Sequence, residues 1–110
     1  MLCVNIKMFE PLTEKELTAL VKEQKSFLSE KELSFFNSIA VPLEKAKIDR
    51  SGNIESVFIV AKYCGKIIFY EDVEEGFEIT EIDGSGVIKN YGASQFELKH
   101  IINQLMNENT

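Results

Sequence analysis

Residues 67–86, IIFYEDVEEGFEITEIDGSG, decide how the chain is read. Ile67-Ile68-Phe69-Tyr70 is apolar on both parities, the pattern of a strand covered on both faces. Residues 71–76 then form an acidic turn that ends in Gly76. A second strand over 77–82 follows, with Phe77 and Ile79 on one side and Glu78 and Thr80 on the other. Asp83-Gly84-Ser85-Gly86 is a hairpin signal, and Val87 to Tyr91 reads as the returning strand. Such short connections predict an antiparallel meander.

The same stretch concentrates the charge. It holds Glu71, Asp72, Glu74, Glu75, Glu78, Glu81 and Asp83, and no Lys, Arg or His. The chain carries a net charge of −6, so removing the −7 of this segment leaves the rest at +1. The acidity is local, and on strand–turn–strand it is expected to form a fixed surface patch flanked by Tyr70 and Phe77. Solvation and protection of a sheet edge is the plainer role for such a run. Natural surfaces usually mix the two signs, however, and an unbroken patch fits the steering of a basic partner.

Upstream, residues 54–63 (IESVFIVAKY) contain the continuous apolar run Val57 to Ala61, which predicts a central strand. Cys64-Gly65-Lys66 turns it into the strand at Ile67. Residues 43–49 (LEKAKID) predict another strand with Ala46 and Ile48 inward, after Pro42 has ended the preceding helical region. The turn at 49–53 has Asp49, Ser51 and Asn53 at alternate positions, as a calcium loop does. Its sixth position is Ile54 where the sharp bend needs Gly, and its twelfth is Ala61 where Glu is needed, so the metal reading is rejected.

Further upstream a short motif occurs twice, as Leu12-Thr-Glu-Lys-Glu-Leu17 and Leu28-Ser-Glu-Lys-Glu-Leu33. Each copy is a capping box. The Thr13 or Ser29 hydroxyl accepts from the third helical amide, while Glu16 or Glu32 reaches back to the cap. The first helix is predicted to run to about Lys25 with Leu17, Leu20 and Val21 inward. The second runs to about Ser38, burying Leu33, Phe36 and Ile39. Residues 2–9 alternate Leu2, Val4, Ile6, Met8 with polar neighbours and predict an N-terminal strand. At the other end a third box, Ser94-Gln-Phe-Glu97, predicts a helix over about 95–107 that docks through Leu98, Ile101, Ile102 and Leu105.

Length and composition fit one domain spanning 1–110 with a single core. The N-terminus lacks the pattern of a secretory signal, and no apolar stretch approaches a membrane span, so a cytoplasmic protein is expected. Cys3 and Cys64 are far apart in sequence and are expected as two buried, reduced thiols. The negative charge excludes nucleic acid as the main partner, because that binding depends on Lys and Arg. His100 is the chain's single histidine, so a His-rich metal site is excluded and a structural role is expected for it. Gly84, Gly86 and Gly92 are turn glycines, not a phosphate loop: Lys89 is not followed by Ser or Thr. No catalytic residue, metal or cofactor is expected, and the chain reads as a non-enzyme.

Residues 69–88, FYEDVEEGFEITEIDGSGVI, together with Gln95-Phe-Glu-Leu98, resemble a motif of small bacterial domains. In these a D-V-E-E-G-F turn precedes a D-x-x-G hairpin and a Q-x-E-L helix start. The resemblance covers about residues 69–105. Some small acidic bacterial proteins of this kind are immunity proteins, which bind and block a contact-dependent or polymorphic toxin. The resemblance implies such a role here.

The expected architecture is α+β: a mostly antiparallel sheet of five or six strands with an N-terminal αα-hairpin and a C-terminal helix. The expected function is neutralisation of a cognate toxin, one that acts on nucleic acid through a basic cleft being the natural target. Glu71, Asp72, Glu74, Glu75 and Glu78 would make the contact, with Tyr70 as an aromatic anchor and Phe77, Glu81 and Asp83 beside them. The alternative is a structural domain that forms a homodimer through a strand edge or helical face.

Overall fold

The structure is a computed structural model in which residues 12–72, 75–81, 86–89 and 96–108 are described. The predicted strand at 2–9, Cys3, Glu74, Asp83, Gly84, Gly92 and the Ser94 cap lie outside the described residues. The chain runs α1 (Glu14–Lys25), α2 (Glu30–Ile39), β1 (Ala40–Arg50), β2 (Asn53–Tyr63), β3 (Lys66–Glu71), β4 (Gly76–Glu81), β5 (Val87–Ile88) and α3 (Leu98–Glu108). This is the expected α+β arrangement, with five strands in one sheet of order β4-β3-β2-β1-β5.

Both N-terminal helices start where their boxes place them. Thr13 Oγ1 accepts from Glu16 N at 3.1 Å, and Glu16 Oε1 accepts from Thr13 N at 2.9 Å. The Ser29–Glu32 pair repeats this at 3.2 and 2.7 Å. Each cap satisfies donors that the first helical turn leaves open, which contributes about 1 kcal/mol. Leu17 and Phe36 are buried, with Ile39 at the end of α2, whereas Leu20, Val21 and Leu33 are only half-buried.

From β1 to β4 the sheet is the predicted meander, and β2 is its middle strand. Two-residue turns join β1 to β2 and β2 to β3. Ser51 and Gly52 have φ of 56° and 95°, Cys64 and Gly65 of 49° and 79°. Positive φ at both central residues matches the twist of the flanking strands. Asp49, the first acid of the rejected calcium loop, closes the first turn: its Oδ1 accepts from Gly52 N at 2.7 Å. Cys64 is a free thiol, but it is exposed at the corner of the second turn, not buried as expected.

Three expectations need correction. First, β5 does not pair with β4. It lies at the opposite edge, parallel to β1, with Lys47 opposite Val87 and Ile48 opposite Ile88. The sheet is curled, and β4 and β5 form its two edges. Second, Pro42 does not end the helical region. Strand β1 begins at Ala40, directly after α2, and takes Pro42 in at a register shift between Ala40 and Glu44. A bulge is where a strand can hold a residue with no N–H to donate. Third, α3 starts at Leu98 and not at 95. Phe96 instead forms a bridge to Phe77, whose N donates to Phe96 O at 2.8 Å. Leu98 N donates to Gln24 Oε1 of α1 at 2.7 Å, so a residue from another helix satisfies the start of this one.

The curled sheet carries a core on each face. The helices cover one face, where Leu17, Phe36, Leu98, Ile101, Ile102 and Leu105 pack on Val60, Ala61, Ile68, Tyr70 and Phe77. On the other face Ile48, Val57, Ile59, Ile67, Phe69 and Ile88 form a second cluster. The doubly apolar runs in β2 and β3 reflect these two cores. Among the described residues no helix is long and apolar enough to cross a membrane.

Candidate functional site: the acidic turn and the start of α1

Strand parity decides what becomes of the acidic segment. Glu71 follows Ile67 and Phe69 on the second face, and Glu78 lies opposite Phe69 on the same face. Both carboxylates are buried, Glu71 completely and Glu78 at 3% exposure. Tyr70 and Phe77 take the other parity and enter the helix-covered core, where their rings meet edge-on at 5.3 Å. The expected single exposed patch is therefore corrected: Tyr70, Glu71, Phe77 and Glu78 do not reach the surface. The reason is that both faces are covered, so neither parity leaves a mid-strand side chain in water.

The buried Glu71 is matched by Arg50 from the end of β1, whose Nη1 lies 2.6 Å from Glu71 Oε1. Arg50 Nε also donates to Glu55 Oε1 at 2.8 Å, so one guanidinium joins two strands' carboxylates. Burial works against the Arg50 charge, but the bonds and charges of Glu71 and Glu55 outweigh it and raise its pKa. Burial raises the Tyr70 pKa as well, and the negative charges of Asp72 and Glu75 add to the effect.

The turn behaves differently from the strands. Glu75 is exposed and holds a left-handed backbone with φ of 58°, and Glu81 is exposed at the far end of β4. Asp72 is half-buried because its Oδ1 accepts from Leu12 N at 2.9 Å, a tie across sixty positions that docks the acidic turn against the entry to α1. Burial raises the Asp72 pKa and the Glu71 charge adds to this, opposed by the Leu12 bond and by Arg50.

This docking creates a cleft of about 630 Å³. Leu12 and Phe58 give it apolar surface, Glu14, Glu55 and Asp72 bring three carboxylates, and Lys45 is the only cation lining it among the described residues. Of the site residues expected from sequence, the structure thus keeps Asp72 at the cleft, with Glu75 exposed on the same turn. Glu14, Glu55 and Phe58 were not foreseen. They lie in α1 and β2, and no local pattern marks them as neighbours of the turn.

The remaining chemistry is sparse. His100 is exposed, accepts a long 3.4 Å bond from Glu97 N at its Nδ1 and stands edge-on to Phe96, which is a structural setting. Among the described residues no group of three or more His, Cys, Asp or Glu side chains is arranged to hold a metal ion. No protein-family model matches the chain, nor does any curated protein or solved structure.

Proposed function

We propose that this chain is a non-enzymatic binding protein of the immunity type, which neutralises a bacterial toxin by occupying a basic surface on it. The observation that carries this reading is the acidic cleft. Three carboxylates from α1, β2 and the acidic turn line it together with the apolar Leu12 and Phe58, and Glu75 is exposed on the same turn as Asp72. A cationic side chain with an aliphatic stem, as Lys and Arg have, suits a pocket with an apolar floor and an anionic rim. Complementary charge would also speed the encounter with a basic partner. A toxin that acts on nucleic acid has a basic cleft of this kind. The contact moves to the turn, α1 and the start of β2: Glu14, Glu55, Asp72 and Glu75 replace the buried Glu71 and Glu78.

The test is binding to, and protection against, the product of the reading frame next to this gene. Glu14→Lys with Glu75→Lys reverses two exposed charges without touching the Leu12 tie. Association with the toxin is expected to slow at least tenfold, and its dependence on salt to flatten. Unchanged association kinetics, or a neighbouring protein that does not bind at all, would refute the reading. Sedimentation at several concentrations separates it from the homodimer alternative, which requires self-association.

A further inference from the structure

The sheet is irregular at one level, and a groove lies there. Strand β1 slips against β2 between Ala40 and Glu44, and β2 slips against β3 between Ile59 and Ala61. The two shifts are at the same height, since Ala40 pairs with Ala61 and Glu44 with Ile59. Bulges re-aim side chains, and natural strands keep them where that serves a purpose. Here Val41, Pro42, Leu43 and Val60 line a groove of about 510 Å³ facing α1. The volume falls within the range of about 300–1,000 Å³ usual for small-molecule sites.

The opposite wall is α1, whose Lys22 and Lys25 both border the groove. Residues three apart on a helix share a face, so both ammonium groups serve one place. Lys22 is exposed and makes no ion pair within the described residues, and Lys25 contacts the Phe36 ring at 5.9 Å. Three other clefts among the described residues carry carboxylates: Glu14, Glu55 and Asp72 in the one above, Glu44 beside the β2–β3 turn, and Glu81 at the end of β4. The groove along α1 has none. In a chain with 18 acidic and 12 basic residues, a cationic groove free of carboxylates runs against the overall charge.

We propose that this groove binds a long-chain carboxylate, its head at Lys22 and Lys25 and its alkyl chain along Val41, Pro42, Leu43 and Val60. One cationic wall facing one apolar wall fits a molecule with one anionic end and one apolar tail. The site shares no residue with the acidic cleft, so either can fail without the other.

The experiment is calorimetric titration of the full chain with laurate below its aggregation concentration. Dodecyltrimethylammonium supplies the same tail with the opposite charge, and hexanoate the same head with a shorter tail. Laurate is expected to bind at one site, hexanoate at least tenfold more weakly, and the cationic amphiphile not at all. Lys22→Gln with Lys25→Gln, checked for native circular dichroism, is expected to weaken laurate at least tenfold. Equal binding of laurate and the cationic amphiphile would overturn the proposal, as would wild-type laurate affinity in the double variant. Absence of laurate binding would overturn it too, as would capture of an acidic Leu/Glu amphipathic peptide in its place.

Discussion

Replacing Arg50 with Met tests the account of the buried acidic strand most directly. The Arg50 side chain retains 14% exposure and the Glu71 side chain none. The substitution keeps most of the aliphatic stem and removes the charge, so it leaves a carboxylate in the interior without its guanidinium. Breaking one side of such a pair costs about 3–5 kcal/mol. The partial exposure of Arg50 places this case near the lower end, at about 3 kcal/mol. Loss of the bond to Glu55, whose side chain is 45% exposed, adds little, because exposed pairs contribute about 0–1 kcal/mol. A domain of this size has a stability of about 5–15 kcal/mol, so the loss is a large share of the total. With a urea m-value of about 2 kcal/mol/M, the midpoint should fall by about 1.5 M. The chain has no Trp, so far-UV circular dichroism is the suitable probe. Arg50→Met combined with Glu71→Leu removes both charges, and an apolar pair in place of a buried ion pair is often neutral or stabilising. The double variant is therefore expected within about 1 kcal/mol of the wild type. A single variant that loses under about 1 kcal/mol, or a double variant worse than the single, would refute the reasoning.

Two further outcomes are expected. Glu32 of α2, which accepts from Lys99 and Asn103 of α3, has its pKa lowered from 4.5 to about 2, first by the Lys99 bond and then by the Ser29 amide, with Asn103 adding to them. A depressed folded-state pKa stabilises the fold above the unfolded value and loses that contribution as pH falls through the folded one. Glu32→Gln should thus cost about 1–2 kcal/mol at pH 7, and urea titrations should find the gap closing between pH 4.5 and about 2. A gap independent of pH would show that packing, not charge, is what the substitution removes. Cys64→Asn places a residue that tolerates the left-handed backbone at φ of 49°, next to Gly65. It should stabilise the protein by about 1 kcal/mol, read as a rise in thermal midpoint of about 4–8 °C.

The elements that could be read from sequence are those whose causes are local. Both capping boxes close within four residues, so α1 and α2 start where Thr13 and Ser29 place them. The unbroken apolar run in β2 identified the middle strand because a strand covered on both faces needs no alternation. What was missed depends on distant partners. The Ser94 box suggested a start near 95, but Phe96 is held extended by Phe77, and the first amide of α3 is met by Gln24 of α1. Strand β5 spans two residues and pairs parallel to β1, a long-range choice that Asp83-Gly-Ser-Gly86 does not encode. At the site, the sequence revealed how many carboxylates there are but not which way they face. A second covered face of the sheet, and an arginine twenty-one positions upstream, decide that Glu71 turns inward.

The acidic segment therefore divides into two parts with different physics. In the strands, Glu71 and Glu78 are buried, Glu71 against Arg50, and an interior carboxylate is tolerated only where bonds offset its desolvation. Neither group is open to a partner in the folded sheet. In the turn, Glu75 remains in water and Asp72 sits at the boundary between the two regimes. Asp72 is the pivot. Its bond to Leu12 N fixes the acidic turn against the start of α1, which brings Glu14 to the same cleft as Glu55. The exposed charge that remains is smaller than the seven carboxylates suggest, but it is held by a hydrogen bond between distant parts of the chain. A surface of fixed charge meets its partner without first paying the entropy of ordering a loop, and for recognition that matters more than the number of charges.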